Sequence, residues 1–236
     1  MLESLRNKRI LIVVAHPDDE LLGLGASMNL LIEEYNISTR VVILGEGITS
    51  RSETRDIKHW EKELEIHRQN IETAQSAIGY HEVSMHDFPD NRFDTVALLD
   101  IVKVIEKEKE IFKPEIIFTH HGGDVNIDHQ RTFEAAITAC RPMENESVKT
   151  SITFETPSGT EWRASSDPKH FIPNMFISFN EENLNAKIKG MESYEFESRK
   201  YPHPRSPESL KIQAKRWGVT IGGNYAEAFH LIRSIN

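Results

Sequence analysis

Cysteine is nearly missing from this chain: Cys140 is the only one among 236 residues. One thiol excludes an intrachain disulfide and fits a reducing compartment, so a cytoplasmic location is expected. Long apolar runs are missing too. No stretch approaches the roughly 18 residues that cross a bilayer, so no integral membrane span is expected. Residues Met1 to Arg6 lack the apolar core of a signal peptide, and export is not expected. Positive charge is in deficit. There are 28 Lys and Arg against 37 Asp and Glu, a formal net charge of −9. Nucleic-acid backbones are held by clustered cations, so this balance argues against nucleic acid as a partner. Internal repeats and low-complexity linkers are also lacking. With 38% hydrophobic and 28% charged residues, the composition fits one globular domain over residues 1–236.

The apolar pattern alternates between short runs and helical periods. Strand 10–15 leads to helix 20–35, and strand 39–44 leads to a glycine-containing loop. A helical stretch over about 52–78 places Leu64, Ile71, Ala74 and Ile78 inward. A strand near 82–86 precedes the Phe88-Pro89-Asp90 turn. Helix 94–110 carries Val96, Leu99, Val102 and Ile105. Strand 115–119 and helix 130–140 follow. This order predicts an α/β fold, a doubly wound and mostly parallel Rossmann-like sheet over about 1–142. After Pro142 the pattern changes. Strands 150–155 and 174–179 and helices 181–198 and 206–217 predict an extension over about 143–236 that roofs the pocket.

Two of these strands run directly into charged loops. Ile10-Leu11-Ile12-Val13-Val14 is followed by Ala15-His16-Pro17-Asp18-Asp19-Glu20. Ile116-Ile117-Phe118-Thr119 is followed by His120-His121-Gly122-Gly123-Asp124-Val125-Asn126-Ile127-Asp128-His129. Open α/β sheets carry their chemistry at the carboxyl ends of strands. If the two strands are parallel neighbours, His16, Asp18 and Asp19 come within reach of Asp124, Asp128 and His129. Adjacent carboxylates there must be solvated, neutralised or held by a cation. Two imidazoles and a carboxylate suit zinc with an open position for water. The same types also fit a two-histidine, one-carboxylate iron site. A third reading is that Asp18 and Asp19 simply cap the following helix. His59, His67, His81, His86 and His170 read as surface or supporting groups. His203, fixed between Pro202 and Pro204, reads equally as a rigid surface turn or a substrate contact.

Together the motifs resemble the LmbE/PIG-L family of zinc-dependent N-acetylglucosaminyl deacetylases. Ala15 to Glu20 matches the family's A-H-P-D-D-E signature throughout, and Asp128-His129 matches its later D-H element. Leu44-Gly45-Glu46-Gly47 with Arg51, Phe88-Pro89-Asp90-Asn91-Arg92, and the tail segments Pro202-His203-Pro204-Arg205-Ser206 and Tyr225 to Phe229 are similar to further family segments. The resemblance implies a Zn2+ cofactor held by His16, Asp19 and His129. It implies Asp18 as general base, with Asp128 also in the catalytic group. Arg51, Asp90, Asn126 and His203 are the implied substrate-binding residues. Asn126 stands where many members carry a histidine. An amide cannot transfer a proton, which leaves His120 and His121 as substitute acids without positional support. The implied activity is removal of an N-acetyl group from an amino sugar or its conjugate, giving free amine and acetate. A small-molecule or glycoconjugate substrate and a homo-oligomer are implied with it. Two alternatives are an amidase or de-N-acylase on a non-sugar amide and a catalytically silent sugar-binding protein.

Overall fold

The computed structural model describes residues 2–235; Met1 and Asn236, the ends of the expected domain, lie outside the described residues. Seven strands form one sheet: β1 (Arg9–Val14), β2 (Ser38–Gly45), β3 (Glu82–Phe88), β4 (Ile116–His120), β5 (Thr150–Phe154), β6 (Met175–Phe179) and β7 (Tyr225–Ser234). Their order is β3-β2-β1-β4-β5-β7-β6. The pairings from β3 through β5 are all parallel, and only β7 runs against its neighbours β5 and β6. The chain moves from β1 outward through β2 to β3, then returns to the other side of β1 as β4. The crevice between the carboxyl ends of β1 and β4 is therefore the point where strand order reverses.

The helices are α1 (Asp19–Leu22), α2 (Gly25–Tyr35), α3 (Glu61–Ile78), α4 (Leu98–Phe112), α5 (Ile127–Ala139), α6 (Glu181–Ser193) and α7 (Pro207–Thr220). Every residue of β1 from Ile10 to Val14 is fully buried. That continuous apolar run is what a central strand covered on both faces requires. Ile10, Ile12 and Val14 join a core with residues of α2, α3, α6 and α7. Leu11 and Val13 point the other way, into a core with α4 and α5. Each such side chain contributes roughly 1.5–3 kcal/mol on burial.

Several details differ from the sequence reading, among them helix 181–198, which ends at Ser193, and helix 94–110, which begins at Leu98. The expected helix 20–35 is broken at Leu24, whose φ of −152° and ψ of 11° leave the helical region, and the neighbouring Gly23 packs against the Phe154 ring: a Cβ there would stand 2.1 Å from Phe154 Cδ2. Residues 52–60 form turns ahead of α3, tied down by Arg55, which donates to Glu46 Oε1 and Oε2 at 2.9 and 2.8 Å. Leu64 is only half-buried, and Leu99 is exposed on α4 while Val102 and Ile105 carry its core face. Finally, β7 lies beyond the last expected element.

Glu227 ties β7, which pairs with β5 and β6, to the helices packed on the sheet. Its Oε2 accepts from Ser27 N at 2.8 Å and its Oε1 from Ala26 N at 3.3 Å. These are orphan donors of the first turn of α2, whose own N-cap, Leu24, has no side chain to serve them. Lys187 Nζ on α6 donates to Glu227 Oε1 at 2.6 Å and to Leu22 O at 2.8 Å. Both side chains are more than nine-tenths buried. Removing one partner strands the other charge, so Glu227→Ala should cost about 3–5 kcal/mol in urea unfolding. The double change Lys187→Met, Glu227→Leu should recover much of that loss. A single variant within 1 kcal/mol of the parent, a margin of roughly what an exposed pair contributes, would contradict this role.

Candidate active site

The β1 loop turns sharply at Asp18, whose φ of 102° is left-handed backbone that a non-glycine residue rarely adopts. Glu20 holds it there. Glu20 Oε2 accepts from Asp18 N at 3.0 Å, and its Oε1 accepts from Tyr194 Oη at 2.7 Å. Burial pushes the Glu20 carboxyl up to about 7. Gly47 leaves room for the turn, since a Cβ there would meet Pro17 Cδ at 2.6 Å. Asp18 makes no side-chain cap bond to α1. Asp19 accepts from His16 N at 2.8 Å. The capping reading of this aspartate pair does not describe the loop.

His16, Asp19 and His129 offer ligand atoms that all lie within 4.8 Å of one another. His16 Nδ1 is 3.5 Å from Asp19 Oδ2, and His129 Nε2 is 3.4 Å from Asp19 Oδ1. Two ligands on a tetrahedral ion with bonds of about 2.0–2.1 Å stand about 3.4 Å apart. The donor set and its spacing therefore fit a zinc-sized ion. The opposite ring nitrogens each face an acid. His16 Nε2 lies 2.8 Å from Asp128 Oδ2 and 3.3 Å from Asp90 Oδ1. His129 Nδ1 lies 3.1 Å from Asp124 Oδ2, off the hydrogen-bond direction and with no other partner. His16, Asp90 and Asp128 also form a compact trio. The oxygens of Asp128, however, already accept from Asn91 N at 2.6 Å and Phe93 N at 2.8 Å, so this trio orients His16.

The electrostatics follow from burial set against pairing. Burial raises Asp19, but His129 and His120 outweigh it and hold the carboxyl well below its usual range. Burial lowers His129, but Asp19 and Asp124 outweigh it and raise the ring to about 9. Asp18 is pushed well up by burial. Arg205 opposes that push, while Asp19, Glu197 and Glu20 add to it. His120 is driven down to about 4 by burial and by His129. Its Nε2 accepts from Ala15 N at 3.0 Å, which leaves Nδ1–H for Thr156 Oγ1 at 2.9 Å. This neutral ring stacks on His129 at 4.0 Å. His121 turns away to Lys169 O at 2.7 Å. Neither histidine offers a free proton to the site.

The four residues expected to bind substrate sit as follows. Asp90 is buried and accepts from Ser50 N at 3.1 Å. Asn126 is the N-cap of α5: its Oδ1 accepts from Asp128 N at 2.8 Å and its Nδ2 donates to Asn91 Oδ1 at 3.1 Å. Arg51 has about a third of its side chain exposed, and it donates to Phe196 O at 3.0 Å and to Glu197 Oε1. His203 Nδ1 accepts from Arg205 N at 3.2 Å, which bends the chain so that Arg205 reaches Asp18. Arg205 Nη1 stands 3.0 Å from Asp18 Oδ2. Sequence reasoning gave no role to Arg205, Glu197, Glu20 or Tyr194. The only signal for Arg205 was its place in the Pro202–Ser206 segment, where the flanking prolines drew weight to His203.

Residues 11–140 match the family described as PIG-L: GlcNAc-PI de-N-acetylase. The chain belongs to the PIG-L family. It is 30% identical over 200 residues to the uncharacterized deacetylase YaiS of Escherichia coli K12, covering 81% of this chain and 94% of that one. Among solved structures, N,N′-diacetylchitobiose deacetylase from Pyrococcus horikoshii superposes with a TM-score of 0.71 at 18% identity, over 96% of this chain and 84% of that one. GalB, the 4-carboxy-2-hydroxymuconate hydratase of Pseudomonas putida, superposes with a TM-score of 0.72 at 19% identity, over 97% and 98%. At these identities the likeness is one of fold, and the fold hosts both a deacetylase and a hydratase. PIG-L membership, not the fold, places this chain among deacetylases. No helix among its described residues is long and apolar enough to cross a membrane.

Of the two readings of His67, surface or supporting, the structure shows a buried supporting group. It is 1% exposed on α3, packed against Tyr194 and Phe196, and neither ring nitrogen has a hydrogen-bond partner. Burial, helped by Arg51, lowers it to about 4. The unfolded chain binds this proton near pH 6.5. The stability contributed by neutral His67 is thus complete above about 6.5 and drains as pH falls toward 4. Urea midpoints between pH 7 and 4 should fall more steeply for the parent than for His67→Met. Parallel slopes would contradict a buried neutral ring.

Proposed function

We propose that the protein is a zinc-dependent N-deacetylase that hydrolyses the acetamide of an amino sugar or glycoconjugate to a free amine and acetate. The observation that carries this reading is the convergence of His16 Nδ1, Asp19 and His129 Nε2 at the strand-order reversal, with Asp18 beside them and outside the donor set. His16, Asp19 and His129 would hold the ion. When bound, it supplies polarisation of the acyl oxygen and lowers the pKa of water from about 15.7 towards about 7.

The chain's own groups supply the rest. Asp128 takes the Nε2–H of His16 and leaves Nδ1 as the donor atom. Asp124, facing His129 Nδ1, favours Nε2 as the donor there. Asp19 brings the negative charge that two neutral imidazoles lack. Asp18 accepts the proton of the attacking water through Oδ1 and returns it to the departing nitrogen, so no second acid is needed. That route suits a site where Asn126 caps a helix and His120 is a neutral ring with both nitrogens engaged. The family description and the P. horikoshii enzyme both name compounds bearing N-acetylglucosamine units, which supports an acetamido sugar as the substrate class. A net charge of −9 supports a small-molecule or glycoconjugate partner over nucleic acid.

The two adjacent aspartates separate under substitution. Asp18→Asn should keep stoichiometric zinc and lose acetate release by roughly 10²–10⁴-fold, the usual range for a general acid–base. Asp19→Asn should lose zinc by elemental analysis. The substrates for the assay are N-acetylglucosamine and N,N′-diacetylchitobiose. Zinc lost from Asp18→Asn but kept, with activity, in Asp19→Asn would reverse the two roles.

A further inference from the structure

Arg205 enters the site from neither charged loop. It lies between α6 and α7, one residue before Ser206, the N-cap of α7. Its guanidinium is clamped on three sides. Nη1 donates to Asp18 Oδ2 at 3.0 Å and to Glu197 Oε2 at 2.7 Å, and Nε donates to Ser158 Oγ at 2.7 Å. The other oxygen of Glu197 accepts from Arg51. Arg51, Glu197, Arg205 and Asp18 therefore form one chain of alternating charge drawn from three separate stretches of sequence.

Two features of this chain bear on Asp18. Only its Oδ2 is engaged; no described residue donates to Oδ1. Fixing one oxygen of a planar carboxylate fixes the direction of the other, so the place of Arg205 sets where Oδ1 points. The arginine is itself fixed, because a planar fork gripped by a hydroxyl and a carboxylate has little freedom to swing. Each arginine is already paired, which favours a task inside the protein over capture of an anionic substrate.

We propose that Arg205 is the positioning residue for Asp18, aiming its free oxygen at the reacting centre, and that Glu197 braces Arg205 against Arg51. This rests on the reading of Asp18 as the proton acceptor. Misplacement of a reacting group by about 1 Å can cost 10²-fold in rate, so loss of the aim should appear in kcat.

A double-mutant cycle over Asp18→Asn and Arg205→Met tests it, with N-acetylglucosamine and N,N′-diacetylchitobiose as probes and zinc content checked in each variant. Arg205→Met alone should lower kcat about 10- to 100-fold, leave KM within about threefold and keep its zinc. In the Asp18→Asn background the same change should alter the residual rate less than about threefold. Arg205→Lys should recover part of kcat, since an ammonium supplies the charge but not the fork. The same cycle by urea unfolding of the metal-free chain should show the two residues coupled by at least about threefold in the unfolding constant. Equal losses in both backgrounds, a raised KM with kcat intact, loss of zinc, or an uncoupled unfolding cycle would each overturn the proposal. Full activity in Asp18→Asn would instead refute the proton-acceptor reading, and the unfolding cycle would still report whether Arg205 and Asp18 act as a pair.

Discussion

Parallel pairing of β1 with β4, with Ile10 opposite Ile116 and Val13 opposite Thr119, fixes where everything else in the site can be. The two strands end at the same level, so the loops that follow emerge side by side over one edge of the sheet. His16 and Asp19 come from one loop and His129 from the first turn of α5 after the other. Neither strand carries one of the three metal-site side chains within its length, and only His120, the last residue of β4, reaches the site. The strands supply parallel direction and register, and the apolar burial on both faces of β1 keeps that register from slipping.

The cost of the arrangement is a cluster of charged groups out of water. Asp18, Asp19, Asp124, Asp128 and His129 are each 3% exposed or less. Unpaired charges at that depth would be strongly unfavourable. The molecule offsets the penalty by giving each group a partner from elsewhere in the chain. Asp128 takes backbone N–H groups of residues 91 and 93, Asp124 takes Thr160 Oγ1 at 2.6 Å, and Asp18 takes Arg205. A divalent cation would lower the remaining repulsion further, so cofactor binding and local stability are linked through the same residues.

The parts of the protein legible in the sequence are those where local pattern and chemistry coincide. An unbroken apolar run followed at once by His16, Asp18 and Asp19 can only end a buried strand in a charged loop, and the loop from His120 to His129 repeats that logic. The parts that escaped are set by long-range contacts. Glu227 lies mid-strand yet caps α2, so its charge disguises β7. Gly23 reads as a small helix residue until Phe154 is laid over it. His67 on a polar helix reads equally as a surface or a supporting group until Tyr194 and Phe196 close over its face. Arg205 is invisible as a site residue because its partner, Asp18, lies 187 positions away. A strict three-residue spacing places Leu99 inward, but that spacing drifts by about 60° per step on an α-helix, so Leu99 leaves the face that Ile101, Val102 and Ile105 bury.

The sheet by itself does not decide the reaction, as its sharing with a hydratase makes plain. The proposed reaction rests on one carboxylate and two imidazoles, with Asp128 at the other nitrogen of His16 and Asp124 facing that of His129. The most direct test is anomalous scattering at the zinc edge from crystals of the metal-loaded protein. The account predicts one full-occupancy peak within about 2.0–2.2 Å of His16 Nδ1, Asp19 and His129 Nε2. A peak seated instead among His16 Nε2, Asp90 and Asp128, or no peak at the strand ends, would contradict it.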